Sequence, residues 1–246
     1  AHVALQAKHK TRLHACIAIM NLSSGTANKI LICACPAVLH AMRHVMVQID
    51  CPEASLKATT CIKNLSNADV NDNALLETTG LLQALAHVAR TAPTAAAVTN
   101  VCLAIMNLSI AKTNKHLVFL TPGIMDALLY VLQESQYSEA RVKACSALSN
   151  LAIGYDNKIP MFCYPHFCET ILRVILTDTG GEARTKASSI LWSFAAERQN
   201  QIPVVQRGDV VPVLVQVATE DSSEARFKCV AALTLLAESL ENAESL

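Results

Sequence analysis

Glycine and proline are scarce, seven and eight in 246 residues, too few for the turns an all-β protein of this length requires. Aromatic side chains make up only 4%, with a single tryptophan at position 192. Neither sign of charge is in excess. Twenty basic and twenty acidic residues cancel, so no overall field steers the chain to nucleic acid or an anionic membrane. No apolar run reaches the roughly 18 residues that a membrane helix needs; the longest, from Ile30 to Leu39, is broken by Pro36. The opening Ala1-His2-Val3 lacks a signal-peptide layout, so the expected location is the cytoplasm, the nucleus or both. The few glycines form no phosphate-cradling loop and no Gly-x-Ser-x-Gly elbow. What the chain does hold is aliphatic bulk: 52% is hydrophobic, chiefly Ala, Leu, Val and Ile, a composition suited to helices.

Ten cysteines could suggest disulfides, but a chain this long has no need of staples. Cys16, Cys102 and Cys145 recur at one position of the repeat described next and read as small core residues. Cys33-Ala34-Cys35 and the Cys163 to Cys168 spacing lack the second pair that a zinc site needs. His40 and His44 stand one helical turn apart without a third ligand in the pattern. Cys163 and His166 fall in the least regular stretch, Phe162 to Cys168, bracketed by Pro160 and Pro165. That stretch reads as an altered surface and a second contact patch rather than a nucleophile pair. No catalytic residue, metal or cofactor is expected.

The organisation lies in an internal repeat. The string Ala15 to Ser23 returns at Ala58 to Ser66, Val101 to Ser109 and Ala144 to Ala152, which sets Asn21, Asn64, Asn107 and Asn150 43 residues apart. Continuing by 43 and then 42 reaches Ser193 and Leu235, where the asparagine is lost. A second series, Asn28, Asn71, Asn114, Asn157, Asn200 and Asn242, follows seven residues behind the first and is expected to cap a helix. Each unit reads as a short helix, a tight turn at Gly80, Gly123, His166 or Gly208, a second helix, and a longer third helix carrying the first asparagine.

Ala147-Leu148-Ser149-Asn150-Leu151 resembles the third-helix signature of the armadillo family, and the resemblance covers essentially the whole chain. It implies an all-α, right-handed superhelical solenoid of about five and a half three-helix repeats, one domain over residues 1–246. Third helices are expected near 11–23, 53–66, 96–109, 139–152, 182–195 and 224–237. HEAT repeats, with two helices per unit and no such asparagine, are the structural alternative. Neither end carries a polar cap, so the chain is expected to be part of a longer protein and to self-associate through its ends.

Along each third helix, the asparagine and the residues four and seven before it share one face. That face reads His14, Ile17 and Asn21; Lys57, Thr60 and Asn64; Asn100, Leu103 and Asn107; Lys143, Ser146 and Asn150; Lys186, Ser189 and Ser193; Lys228, Ala231 and Leu235. Trp192 sits at its edge. An asparagine amide matches the C=O and N–H of an extended peptide, and in the family such asparagines clamp extended partners. Alternatively they hydrogen-bond the neighbouring repeat and fix the stacking. The lysines are open to two readings as well: pairs with the glutamates four residues earlier, Glu53, Glu139, Glu182 and Glu224, or a basic line for an acidic segment. Importin alpha places tryptophan where Ile17, Thr60, Leu103, Ser146 and Ser189 stand here, so nuclear-import cargo is not expected. The character is closer to beta-catenin-like, plant U-box and vacuolar-adaptor tracts. The expected function is a protein-interaction module that binds an extended, acidic segment; a structural spacer is the alternative. In the core, Leu65, Leu108, Leu151, Phe194 and Leu236 are expected to be buried, as are Ile62, Ile105, Leu148, Leu191 and Leu233, with weaker cover at the two ends for Ile17, Ile19, Leu233 and Leu236.

Overall fold

A computed structural model describes residues 1–6, 9–178 and 181–238. Among them every regular element is a helix and no strand occurs. The chain divides into two compact units, residues 1–147 and 148–246, with the division inside the Ser138–Ala152 helix.

In the first unit the third helices are His9–Leu22, Pro52–Leu65 and Ala95–Leu108, and Ser138–Ala152 begins there. Pro52–Leu65 packs between His9–Leu22 and Ala95–Leu108, while the second helices Pro36–Met46, Leu81–Thr91 and Ile124–Glu134 stack beside one another. In the second unit Glu182–Ala195 packs on Glu224–Ala237, and Phe167–Thr177 on Val210–Glu220.

The third helices start for identifiable reasons. Pro52 enters at the first position, where its missing N–H has no helical partner to lose. Glu53, Glu139, Glu182 and Glu224 lie in first turns, where a negative charge offsets the positive end of the helix dipole. Ala95–Leu108 has no acid there, and Thr94 caps it instead, accepting from the Ala97 amide at 3.3 Å. The turn between first and second helices is left-handed in every complete unit: φ is 75° at Gly80, 85° at Gly123, 58° at His166 and 75° at Gly208. Glycine is favoured at such a φ, and His166 takes it at a steric cost.

The core follows the repeat. Leu65, Leu108, Leu151, Phe194, Leu236, Ile62, Ile105 and Leu148 are fully buried and Leu191 nearly so. Leu233 is only half-buried, as are Ile17 and Ile19, the weaker cover expected at the two ends. Their helices, His9–Leu22 and Glu224–Ala237, have a neighbouring third helix on one side only among the described residues. Leu236, expected to lose cover, keeps it.

The second asparagine series does not cap the first helices: Asn71, Asn114 and Asn157 make no side-chain cap bond. Asn71 and Asn157 instead donate to the Leu65 and Leu151 carbonyls, each at 3.0 Å, satisfying last-turn acceptors of the third helix before them. Asn114 donates to Asp72 Oδ2 at 2.7 Å, and Asn200 to the Lys158 carbonyl at 3.1 Å, both one repeat back. Asn242 lies outside the described residues.

Candidate functional site

In the first unit the ladder asparagines are held from behind. Asn64 Nδ2 donates to Ser23 Oγ at 3.0 Å and Ser24 Oγ at 3.5 Å. Asn107 Nδ2 donates to Ser66 Oγ and to Asn67 Oδ1, both at 3.2 Å. The serine hydroxyls fix the amide orientation. Ser23 Oγ donates to the Met20 carbonyl at 2.6 Å and Ser66 Oγ to the Lys63 carbonyl at 2.9 Å, so each offers only lone pairs to the next asparagine. The NH2 end therefore faces the preceding repeat. A bond to the neighbouring repeat is the alternative left open in the sequence; the serine as its partner was missed, although Asn-Leu-Ser recurs at 21–23, 64–66 and 107–109. Where the serine is replaced, at Ala152, the asparagine 41 residues on is replaced too, by Ser193.

Asn21 is exposed, Asn64 half-buried and Asn107 buried. Two turns back from Asn107, Asn100 Nδ2 donates to Thr60 Oγ1 at 3.0 Å, and Thr60 in turn donates to the Leu56 carbonyl at 2.7 Å. Asn100 stands where other units carry lysine. Lys57 and Lys143 are half-buried. Neither forms an ion pair among the described residues, although Glu53 and Glu139 stand four residues before them. Ser146 is buried and donates to the Val142 carbonyl at 2.9 Å.

In the second unit Asn150 is half-buried, and Ser189 donates to the Thr185 carbonyl at 3.0 Å. Lys186 is half-buried and likewise without an ion pair among the described residues. Lys228 differs: its ammonium lies 3.4 Å from Glu224, 4.7 Å over the Trp192 ring and 5.5 Å over that of Phe227. The Glu–Lys pair anticipated in four helices thus closes in one.

No family model matches the sequence, and no curated protein matches it. Solved structures do. A designed armadillo repeat protein superposes with a TM-score of 0.78 at 17% identity, over 96% of this chain and 97% of that one. A computationally designed armadillo repeat protein for modular peptide recognition gives 0.81 at 18% identity, over 94% and 96%. A third, a designed armadillo repeat protein in complex with the peptide (KR)4, gives 0.79 at 15% identity, over 96% and 97%. The chain has an armadillo-repeat fold.

The remaining cysteines and histidines of this armadillo chain occupy other positions of the repeat than the ladder asparagines. None of the ten cysteines forms a disulfide. Burial pushes the thiols of Cys16 and Cys33 up to about 11, and those of Cys61, Cys102 and Cys168 up to about 12. These groups stay protonated at neutral pH and are poor nucleophiles. In the irregular stretch, Cys163 and His166 are exposed, and His166 Nδ1 lies 3.3 Å from Glu169 Oε2. Glu169 also approaches Arg207 at 3.6 Å, and Arg207 meets Asp209 at 2.9 Å. His44 meets Gln48 at 3.2 Å while His40 is exposed. Lys115 is buried and donates to the Ser109 and Ile110 carbonyls at 2.7 and 2.9 Å, a cationic cap on a third helix; burial lowers its pKa.

Proposed function

We propose that this chain is a non-enzymatic, peptide-binding repeat scaffold whose third-helix face takes an extended, acidic segment of a protein partner. The observation that carries the reading is the state of the lysines. Lys57 and Lys143 share a face with the ladder, and each has a glutamate at the favourable helical spacing yet no ion pair among the described residues. The glutamates have their own role at the helix N-termini, which leaves the ammonium groups to an incoming carboxylate. Lys186 repeats the arrangement in the second unit.

The serine pairing alters how the ladder would act. Since the NH2 of Asn64 is directed at Ser23, the remaining group is its Oδ1, an acceptor for a main-chain N–H of the partner. The backbone clamp is thus one-sided, and much of the affinity rests on charge and on the varied residues Thr60 and Leu103 four before each asparagine. The neighbours of the same fold include proteins designed for peptide recognition, one of them complexed with a basic peptide. The lysine row here favours the opposite charge.

Selection of peptides from a random library tests this. The parent chain is expected to enrich sequences rich in Asp and Glu, and a Lys57→Glu, Lys143→Glu variant to lose that enrichment. Equal enrichment by both, or enrichment of basic peptides by the parent, would contradict the proposal.

A further inference from the structure

Away from the third-helix face, the second helices Leu81–Thr91 and Ile124–Glu134 of the first unit border an open surface pocket of about 370 Å³ between them. Gln83, His87 and Arg90 line it, and their spacing of four and three residues puts them on one face of their helix. Tyr130 lies opposite, and Gly123 closes one end at the start of the second helix. The Arg90 guanidinium lies 5.6 Å over the Tyr130 ring centroid. Stacking of this kind holds the planar fork in one orientation and leaves its edge, with the N–H donors, free.

No carboxylate pairs with Arg90 among the described residues. Glu134 lines the adjoining pocket of about 250 Å³ with Arg90 and Tyr130, but does not come within ion-pair distance. The position of Arg90 in the last turn of its helix accounts for a positive charge there, since the dipole favours one. It does not account for a guanidinium held over an aromatic ring at an open pocket without a carboxylate partner.

We propose that this pocket binds an oxyanion, the carboxylate or phosphate group of a protein partner's side chain, with Arg90 as the bidentate donor and His87 and Gln83 beside it. The site is independent of the third-helix face, since its lining comes from second helices and the turn before one of them. A partner could therefore be held at two places, or two partners at once.

Nitrogen-detected or ¹⁵N-resolved NMR of the Arg90 Nε–H, with inorganic phosphate, sodium acetate and sodium chloride titrated separately at matched ionic strength, tests the proposal. Phosphate, acetate or both should shift Arg90 and the Gln83 side-chain amide saturably, with dissociation constants on the order of millimolar, and chloride should not. A response to phosphate alone assigns the site to phosphorylated side chains, and a response to both assigns it to either oxyanion. Arg90→Met, which keeps the stem on Tyr130, should weaken the Gln83 response at least about tenfold. Tyr130→Phe should retain binding because the ring remains, whereas Tyr130→Ala should weaken it. The proposal is overturned if neither oxyanion shifts Arg90 beyond the chloride control, or if the Gln83 response survives unchanged in Arg90→Met.

Discussion

At the residue scale the ladder asparagine is the informative case. Its spacing was readable in the sequence, and so was a bond to the neighbouring repeat as one of two readings, but the partner was not, because the accepting serine stands 41 residues before Asn64 and Asn107 alike. A pattern found by comparing like positions of successive repeats does not reveal a bond between unlike ones. Asn107→Ala removes two hydrogen bonds, one buried and one part-buried, and should cost about 1–3 kcal/mol in urea unfolding. Ser66→Ala should cost less than that alone, and the double variant less than the sum, because both remove the same bond. Strict additivity would mean that the pairing contributes nothing. Asp72 offers a pH-dependent case. It is buried, its Oδ1 has no partner, and burial raises its pKa above the ordinary 3.8 even though Asn114 donates to its other oxygen. A carboxyl with a raised folded pKa binds its proton more tightly in the folded state, so its contribution is fully present below pH 3.8 and is lost as pH rises through the raised value. Asp72→Asn should therefore be more stable than the parent at pH 7 and no more stable at acid pH. Urea melts at the two pH values check this, and an equal difference at both would contradict it.

At the element scale the helices were legible because apolar faces recur at helical spacing in every unit, and the third helices begin within two residues of their expected starts. Burial was legible where the repeat has neighbours on both sides. Ile62, Ile105 and Leu148 are fully buried, but the same position is half-buried as Ile19 and Leu233, since cover there depends on what packs beyond. Leu108→Ala should cost about 2–5 kcal/mol, because nothing collapses easily into the space between third helices. A loss well under 1 kcal/mol would place that face elsewhere. The turn between first and second helices gives a paired prediction. Gly123→Ala forces a Cβ into a left-handed φ of 85° and should destabilise by roughly 1–2 kcal/mol, though only Ala86 lies near. His166→Gly relieves the same strain and should stabilise by up to about 1 kcal/mol, because the contact it gives up with Glu169 is exposed. Thermal melts of the two variants moving in the same direction would refute the assignment.

At the scale of the whole molecule the repeat fold was readable from one sequence, while the use of its faces was not, since a face is defined by what it lacks as well as by what it carries. Val230 and Phe227 are exposed in the last third helix, though the residues at the Val230 position in earlier repeats, Ser188, Cys145, Cys102, Thr59 and Cys16, are all buried. We propose that this face supports self-association. Sedimentation at rising concentration should show it, with Val230→Asp and Phe227→Asp together returning the chain to monomer. The third-helix face carries the central claim, that unpaired lysines beside a one-sided asparagine ladder receive an acidic extended segment. The most direct measurement is fluorescence anisotropy of labelled (DE)4 and (KR)4 peptides with the parent chain and with Lys57→Glu, Lys143→Glu. The account predicts that the parent binds (DE)4 more tightly than (KR)4, that added salt weakens the binding, and that the variant reverses the preference. Tighter binding of (KR)4 by the parent, or (DE)4 binding that survives both substitutions, would contradict it.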